Sequence, residues 1–290
     1  MITQVCRRTR VSGRRWPCSP RTGFLVLVLT AALAFPVTAT AEDCPRIVSQ
    51  SPYITHSLEY LGLASCIVGA SRYDDLEVAD TGGILDPDAE AIARLEPELA
   101  FTSSWVEPED WADTVPARTR AIVLGGFEGM DAVRENLERI ADAAGLDDGA
   151  ARAAAFEDAW QDAADAVGAS GERAVLMSSC SAQAYVYGPQ TWLHDAFTRA
   201  GFEVVATQTG VHHLRLSEET DELADLINAH DPDVVFTFYG ADTRSCRAVV
   251  ASGPVRVVNL PPGYFSHPAP VILEGLAELH TRRAEWAVEP

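Results

Sequence analysis

The sequence predicts an α/β fold of two lobes, each with a parallel sheet flanked by helices, joined by one long spine helix. Three observations predict it. From Arg46 onward, short apolar runs alternate with segments of helical periodicity, the pattern of strand–helix–strand units. The alternation stops at an alanine-rich stretch, Ala150 to Val167, that has no strand beside it, and then resumes. A local pattern also occurs once in each half: Glu90-Ala-Ile-Ala-Arg-Leu-Glu-Pro97-Glu-Leu-Ala-Phe101 lies over Asp225-Leu-Ile-Asn-Ala-His-Asp-Pro232-Asp-Val-Val-Phe236. In both copies proline stops a helix, an acid follows, and a buried strand begins. Two copies at corresponding places argue for matched lobes.

Residues 1–41 read as a secretory signal peptide. Six arginines and no acid open the chain, the apolar run Phe24 to Val37 follows, and Ala39-Thr40-Ala41 offers a small-residue cleavage site. No later run reaches the roughly 18 apolar residues of a membrane span, so the expected product is exported to the periplasm. Residues 42–148 make the expected first lobe. Its strands are Arg46–Ser49, Cys66–Gly69, Leu99–Thr102 and Ala121–Leu124, with helices ending at Tyr60, around Ala89–Leu95, and over Asp131–Ala144. Residues 149–170 hold the spine. Residues 171–290 make the second lobe, with strands at Ala174–Met177, Phe202–Val205, Val234–Phe238 and Val255–Leu260. Helices are expected over Trp192–Ala200, Glu218–Ala229, near Thr243–Ala251, and from Ala269 to Trp286. Parallel strands joined by helices imply right-handed crossovers in each lobe.

Charge narrows the function. All 22 basic residues are arginines, against 42 acids, for a net charge of −20. Without the six arginines of residues 1–41, 16 positive charges face 42 negative ones, a net charge of −26. Such a surface repels the phosphates of nucleic acid and of anionic lipid, and nucleic-acid binding is excluded. Cys6 and Cys18 leave with the signal. The remaining Cys44, Cys66, Cys180 and Cys246, in an oxidising compartment, read as disulfides rather than as a thiol catalyst or zinc site. Three pairings are open to four cysteines, and two in each half favours Cys44 with Cys66 and Cys180 with Cys246.

Two other classes compete on the residues alone. A secreted hydrolase needs a nucleophile elbow or an H-E-x-x-H pair, and the sequence contains neither. A free-metal-cation binding protein needs three or four convergent His and carboxylate ligands. The seven histidines are scattered, and only His212-His213 stand side by side.

At Pro45-Arg46-Ile-Val-Ser-Gln-Ser-Pro52 with Thr55 and Glu59, at Cys66-Ile-Val-Gly69-Ala-Ser-Arg-Tyr73, and at Asp86-Pro-Asp-Ala-Glu90 through Phe101, the chain resembles the periplasmic binding proteins of vitamin B12 and ferric-siderophore ABC importers. The resemblance runs in order from about Arg46 to Arg283. It implies a protein that does no chemistry and needs no cofactor of its own. Such a protein holds a cobalt or iron chelate between its lobes and, as a monomer, presents it to a membrane permease. In that family an acid on each lobe meets arginines of the permease, and these fall at Glu90 and Asp225, the latter one methylene shorter than the usual glutamate.

Residues that follow strands are the candidates for the ligand, because open α/β sheets bind at the carboxyl ends of their strands and large rings need aromatic walls. They are Tyr73, Trp105, Tyr187 with Tyr185, Tyr239, and Phe265 with Tyr264; His212 and His213 are added as imidazoles able to cap a metal. His267 is a weaker candidate. Two departures bear on the cargo: Gly82-Gly83-Ile84 stands where cobalamin binders carry a tryptophan, and no tyrosine follows the third strand as heme binding would favour. The cargo stays open between cobalamin, siderophore and heme.

Overall fold

The structure, a computed structural model, describes residues 44–178, 184–206, 208–215, 222–238 and 255–286. The expected signal peptide, Cys180, Tyr239, Cys246 and the helix near Thr243 lie outside these residues.

The first sheet is wholly parallel. Its strands are β1 (Ile47–Ser49), β2 (Ile67–Ala70), β3 (Ala79–Asp80), β4 (Leu99–Ser103) and β5 (Arg120–Leu124), in the order β3-β2-β1-β4-β5. β1 and β4 pair in the middle, Ile47 beside Leu99 and Val48 beside Ala100, and every residue of both is buried. Burial on two faces is why these strands are continuous apolar runs rather than alternating ones. Helices α1 (Pro52–Tyr60), α2 (Ala89–Leu95), α3 (Pro108–Thr114) and α4 (Met130–Ala144) cover the sheet. α3 was not anticipated. Pro108 starts it, where a missing N–H costs nothing, and Trp111 anchors it, wholly buried with its Nε1 donating to the Ala100 carbonyl at 3.0 Å.

The spine helix α5 (Gly149–Val167) follows. Ala153, Phe156, Trp160, Ala164 and Val167 form its buried stripe, spaced three and four residues apart as one helical face requires. That face packs on α4 of the first lobe and on α6 (Trp192–Arg199) and the last helix of the second. One apolar core therefore runs through both lobes, with Phe101, Phe156 and Phe236 in a single cluster.

The second sheet has β6 (Arg173–Met177), β7 (Tyr185–Tyr187), β8 (Glu203–Val204), β9 (Val211–His213), β10 (Val234–Thr237) and β11 (Arg256–Asn259). Its path is β11-β10-β6-β7-β9, and β8 also pairs with β6. β6, β8, β10 and β11 run parallel as expected, but β7 lies antiparallel to both β6 and β9. No local pattern announces this edge. Tyr-Val-Tyr and Val-His-His are three residues each, too short for a period to register. Helices α7 (Glu222–His230), α8 (Pro262–Phe265) and α9 (Ile272–Trp286) complete the lobe.

The repeated pattern is a repeated structure. α2 ends on Glu96 and α7 is followed by Asp231, and both acids adopt the left-handed conformation, with φ of 47° and 44°. The proline after each prevents the helix from continuing, and β4 or β10 starts two residues later. Of the two expected disulfides, Cys44–Cys66 is present, tying the start of the first lobe to the entry of β2.

Candidate ligand-binding cleft

The carboxyl ends of both sheets open on one cleft of about 1030 Å³. At the upper end of the usual range for small-molecule pockets, it has room for a macrocycle or a chelate. Its wall is a chain of rings. Trp105 stacks on Phe127, with centroids 5.2 Å apart and planes at 22°. Phe127 meets Tyr53 and Trp192 edge to face at 5.4 and 5.7 Å, and Trp192 meets Tyr187 at 5.3 Å. Tyr187 then meets Tyr185, which meets His213. Since Phe127 follows β5 and Trp192 opens α6, the chain crosses from one lobe to the other without a break.

Each wall has a scaffold. In the first lobe the wholly buried Gln50 donates from Nε2 to the carbonyls of Thr81 and Gly83, both at 3.0 Å, and accepts from the Thr81 hydroxyl at 2.8 Å. This fixes the turn that presents Ile84, Leu85 and Asp86 at the cleft mouth. Gly82 serves the turn with φ of 89°, and a side chain there would strike the Asp86 carbonyl. The Ser71 hydroxyl donates to Asp74 at 2.5 Å, closing the loop that carries Tyr73; burial raises the Asp74 carboxyl above the ordinary range, offset in part by Ser71 and Thr55. The Tyr53 hydroxyl donates to the Leu124 carbonyl at 2.5 Å, and burial pushes its pKa up.

In the second lobe Thr191 caps α6 by accepting from the His194 amide, which sets Trp192 at the helix start. The lobes are also fastened directly. Asp195 accepts from the Met130 amide at 3.0 Å, so a carboxylate of α6 satisfies the N-terminus of α4. Gly129 permits this approach, since a Cβ there would lie 2.6 Å from the Asp195 oxygen.

Six of the residues singled out from sequence line the cleft: Tyr73, Trp105, Tyr185, Tyr187, His213 and His267. Tyr73 and Trp105 are 61% and 58% exposed, large apolar surfaces left open in a folded chain. The adjacent histidines divide. Successive residues of a strand point to opposite faces, so His213 meets the Tyr185 ring in the cleft while His212 is turned toward Glu222 and is not among the lining residues. Burial lowers the His212 pKa, and Glu222 opposes that shift.

Phe265 is also not among the lining residues; it is wholly buried against Phe238 and Phe197 because α8 turns it into the core, leaving Tyr264 outside. Tyr239 lies outside the described residues. Glu90 is exposed at the start of α2 and pairs with Arg94 at 3.7 Å, and Asp225 is exposed on α7. Neither lines the cleft. Glu222 is held by Arg215 at 2.6 Å, which lowers its pKa.

Tyr53, Phe127, Glu128 and Trp192 line the cleft without having been singled out. Phe127 and Glu128 sit between Gly125-Gly126 and Gly129, a glycine frame after a predicted strand that was the available signal. His267 also lines the cleft, and burial together with the nearby His56 ring holds its pKa down at about 4. Among the described residues no group of three His, Cys, Asp or Glu side chains is placed to hold a metal ion, and no helix is long and apolar enough to cross a membrane.

No protein-family model matches the sequence, and no curated protein matches it. Solved structures do. The periplasmic heme-binding protein RhuT from Roseiflexus sp. RS-1 superposes with a TM-score of 0.69 at 19% identity, covering 83% of this chain and 98% of that one. The periplasmic vitamin B12 binding protein BtuF of Vibrio cholerae gives 0.66 at 18% identity, covering 85% and 99%. The periplasmic heme-binding protein HutB of Vibrio cholerae gives 0.64 at 16% identity, covering 82% and 98%. The chain therefore has the fold of the periplasmic heme- and vitamin B12-binding proteins, two α/β lobes on one spine helix.

Proposed function

We propose that the chain is the periplasmic substrate-binding component of an ABC importer, exported by a cleaved signal peptide. In this reading it holds a metal chelate of the cobalamin or siderophore class and delivers it to a membrane permease. The observation that carries the reading is the aromatic-walled cleft of about 1030 Å³ between the two lobes. Flat or rounded rings of a large ligand bury much area against such walls, while the few polar groups at the rim orient it. The protein's part is binding and presentation, and no step of bond making is assigned to it.

Two physical features support delivery. α5 is one unbroken helix, and a continuous helix cannot absorb large backbone rotations as a loop hinge does, so the cleft is preformed and the lobes move little. Preformation keeps the ordering cost of binding low. Glu90 and Asp225 are exposed acids at matched places on the lobes, outside the cleft, and suit charge-complementary docking that sets register on the permease while the ligand stays in place.

A thermal-shift panel of cyanocobalamin, heme, ferric siderophores and free divalent metals tests the reading. A ligand at about 100 times its Kd should stabilise the chain by about 2.7 kcal/mol. Stabilisation by a free metal ion alone, or by none of the panel, would overturn it.

A further inference from the structure

The cleft combines aromatic faces with an acid that has no ion pair among the described residues. Among its described lining residues the acids are Asp86 and Glu128, and no arginine stands among them. Asp86 is matched by Arg72, whose guanidinium lies 3.0 Å from it. Glu128 has no ion pair among the described residues. Its Oε2 accepts from the Gly126 amide at 3.0 Å, which holds the carboxylate in the turn that also carries Phe127, the ring on which Trp105 stacks.

Aromatic faces carry negative quadrupole charge and attract cations, and a carboxylate lining the same cleft adds full charge to its field. The field of the whole chain points the same way, since residues 42–290 carry a net charge of −26 and a cleft focuses that field. His267 supplies no compensating positive charge, because burial and the neighbouring His56 ring hold it neutral at physiological pH. A ligand carboxylate entering here would lose water against a like charge, with no arginine among the described lining residues to receive it.

We infer that the cleft selects positively charged chelates, seating a cationic group of the ligand between the Glu128 carboxylate and the rings of Trp105 and Phe127. The inference rests on the proposed chelate-binding reading and names the ligand's charge class within it.

The test measures affinity by tryptophan fluorescence for four probes: a ferric trihydroxamate with a pendant ammonium, the same chelate with that amine acetylated, uncharged cyanocobalamin, and heme with its two carboxylates. The expected result is that the cationic chelate binds tightest, at least about tenfold tighter than its acetylated form, and that added salt narrows the gap. Glu128→Gln keeps an acceptor for Gly126 and should remove that tenfold difference, the loss falling on the cationic chelate rather than on its acetylated form. Melting curves of the variant control for folding.

An uncharged or anionic probe that binds as tightly as the cationic one, or a Glu128→Gln variant that keeps the full preference, overturns the charge selection alone. Failure of all four probes to bind overturns the chelate reading and this inference together.

Discussion

Arg46 and Arg173 hold equivalent positions in the two lobes. The Arg46 guanidinium donates to the Leu95 carbonyl at 3.0 and 2.6 Å, and the Arg173 guanidinium donates to the His230 carbonyl at 2.8 Å. Each therefore satisfies a carbonyl left open at the end of a helix, α2 in one lobe and α7 in the other. The backbone N–H of Arg46 donates to the Glu98 side chain at 3.1 Å, and that of Arg173 to Asp233 at 2.8 Å. In return the Glu98 and Asp233 amides donate to the carbonyls of Arg46 and Arg173. The acid after each proline thus fastens the helix-to-strand turn to the first strand of its lobe. The matched halves place Glu90 and Asp225 at corresponding points, six residues before the left-handed acid in each copy.

Trp105 and Trp160 should separate binding from stability. Trp105 is 58% exposed in the cleft, so Trp105→Ala should weaken ligand binding by about 2 to 4 kcal/mol and leave the melting temperature nearly unchanged. Trp160 is 7% exposed on the spine, and Trp160→Ala should cost about 3 to 5 kcal/mol of stability with affinity preserved in the folded fraction. Titration calorimetry and denaturant unfolding measure the two effects, and equal losses of affinity would count against the assignment of the cleft.

Gln50→Leu removes the amide that gathers the carbonyls of residues 81–83. The orphaned buried groups should lower stability by about 2 to 3 kcal/mol. Affinity should fall as well, because the turn carrying Ile84, Leu85 and Asp86 loses its support. Unchanged affinity in a destabilised variant would show that this turn takes no part in binding.

Charge reversal at Glu90 and Asp225 together should leave chelate affinity unchanged and abolish uptake in cells carrying the cognate permease. Both acids are exposed and neither lines the cleft. A collapse of affinity in the purified double variant would place them in the binding site.

The half-buried His267 makes stability depend on pH. Its folded pKa of about 4 lies below the ordinary value of 6.5, so between these values the unfolded chain binds more protons and stability rises with pH. The contribution is fully present above the unfolded pKa and is lost as pH falls toward 4. From about pH 7 to about pH 5 it should cost about 2 kcal/mol. Denaturant unfolding of the parent and of His267→Asn at both pH values measures it, and the variant should lack this part of the loss.

Breaking Cys44–Cys66 should destabilise the first lobe. The bridge closes a separation of 22 residues, worth about 3 kcal/mol in the chain-entropy model. Cys44→Ser with Cys66→Ser should lower the melting temperature, and an unchanged value would argue that the bridge does not form in the exported protein.

The sequence by itself determined the two-lobed order of strands and helices, because burial on both faces writes a parallel strand as an apolar run and a spine helix as a stripe three and four residues apart. It also determined the matched turns at Pro97 and Pro232, since proline and a short acid act on their immediate neighbours. Tyr73 and Trp105 were legible because they follow parallel strands, whose carboxyl ends converge, whereas His213 was legible only as an imidazole able to meet a metal. Tertiary structure decided the rest. Only the antiparallel pairing of β7 with β9 turns His213 into the cleft and His212 away from it. Only the packing of α8 puts Phe265 in the core. Phe127 and Trp192 become one wall only because the spine brings the end of β5 against the start of α6. Contacts between residues 65 apart in sequence leave no local period, and their energy comes from apolar surface that exists only once both lobes have folded.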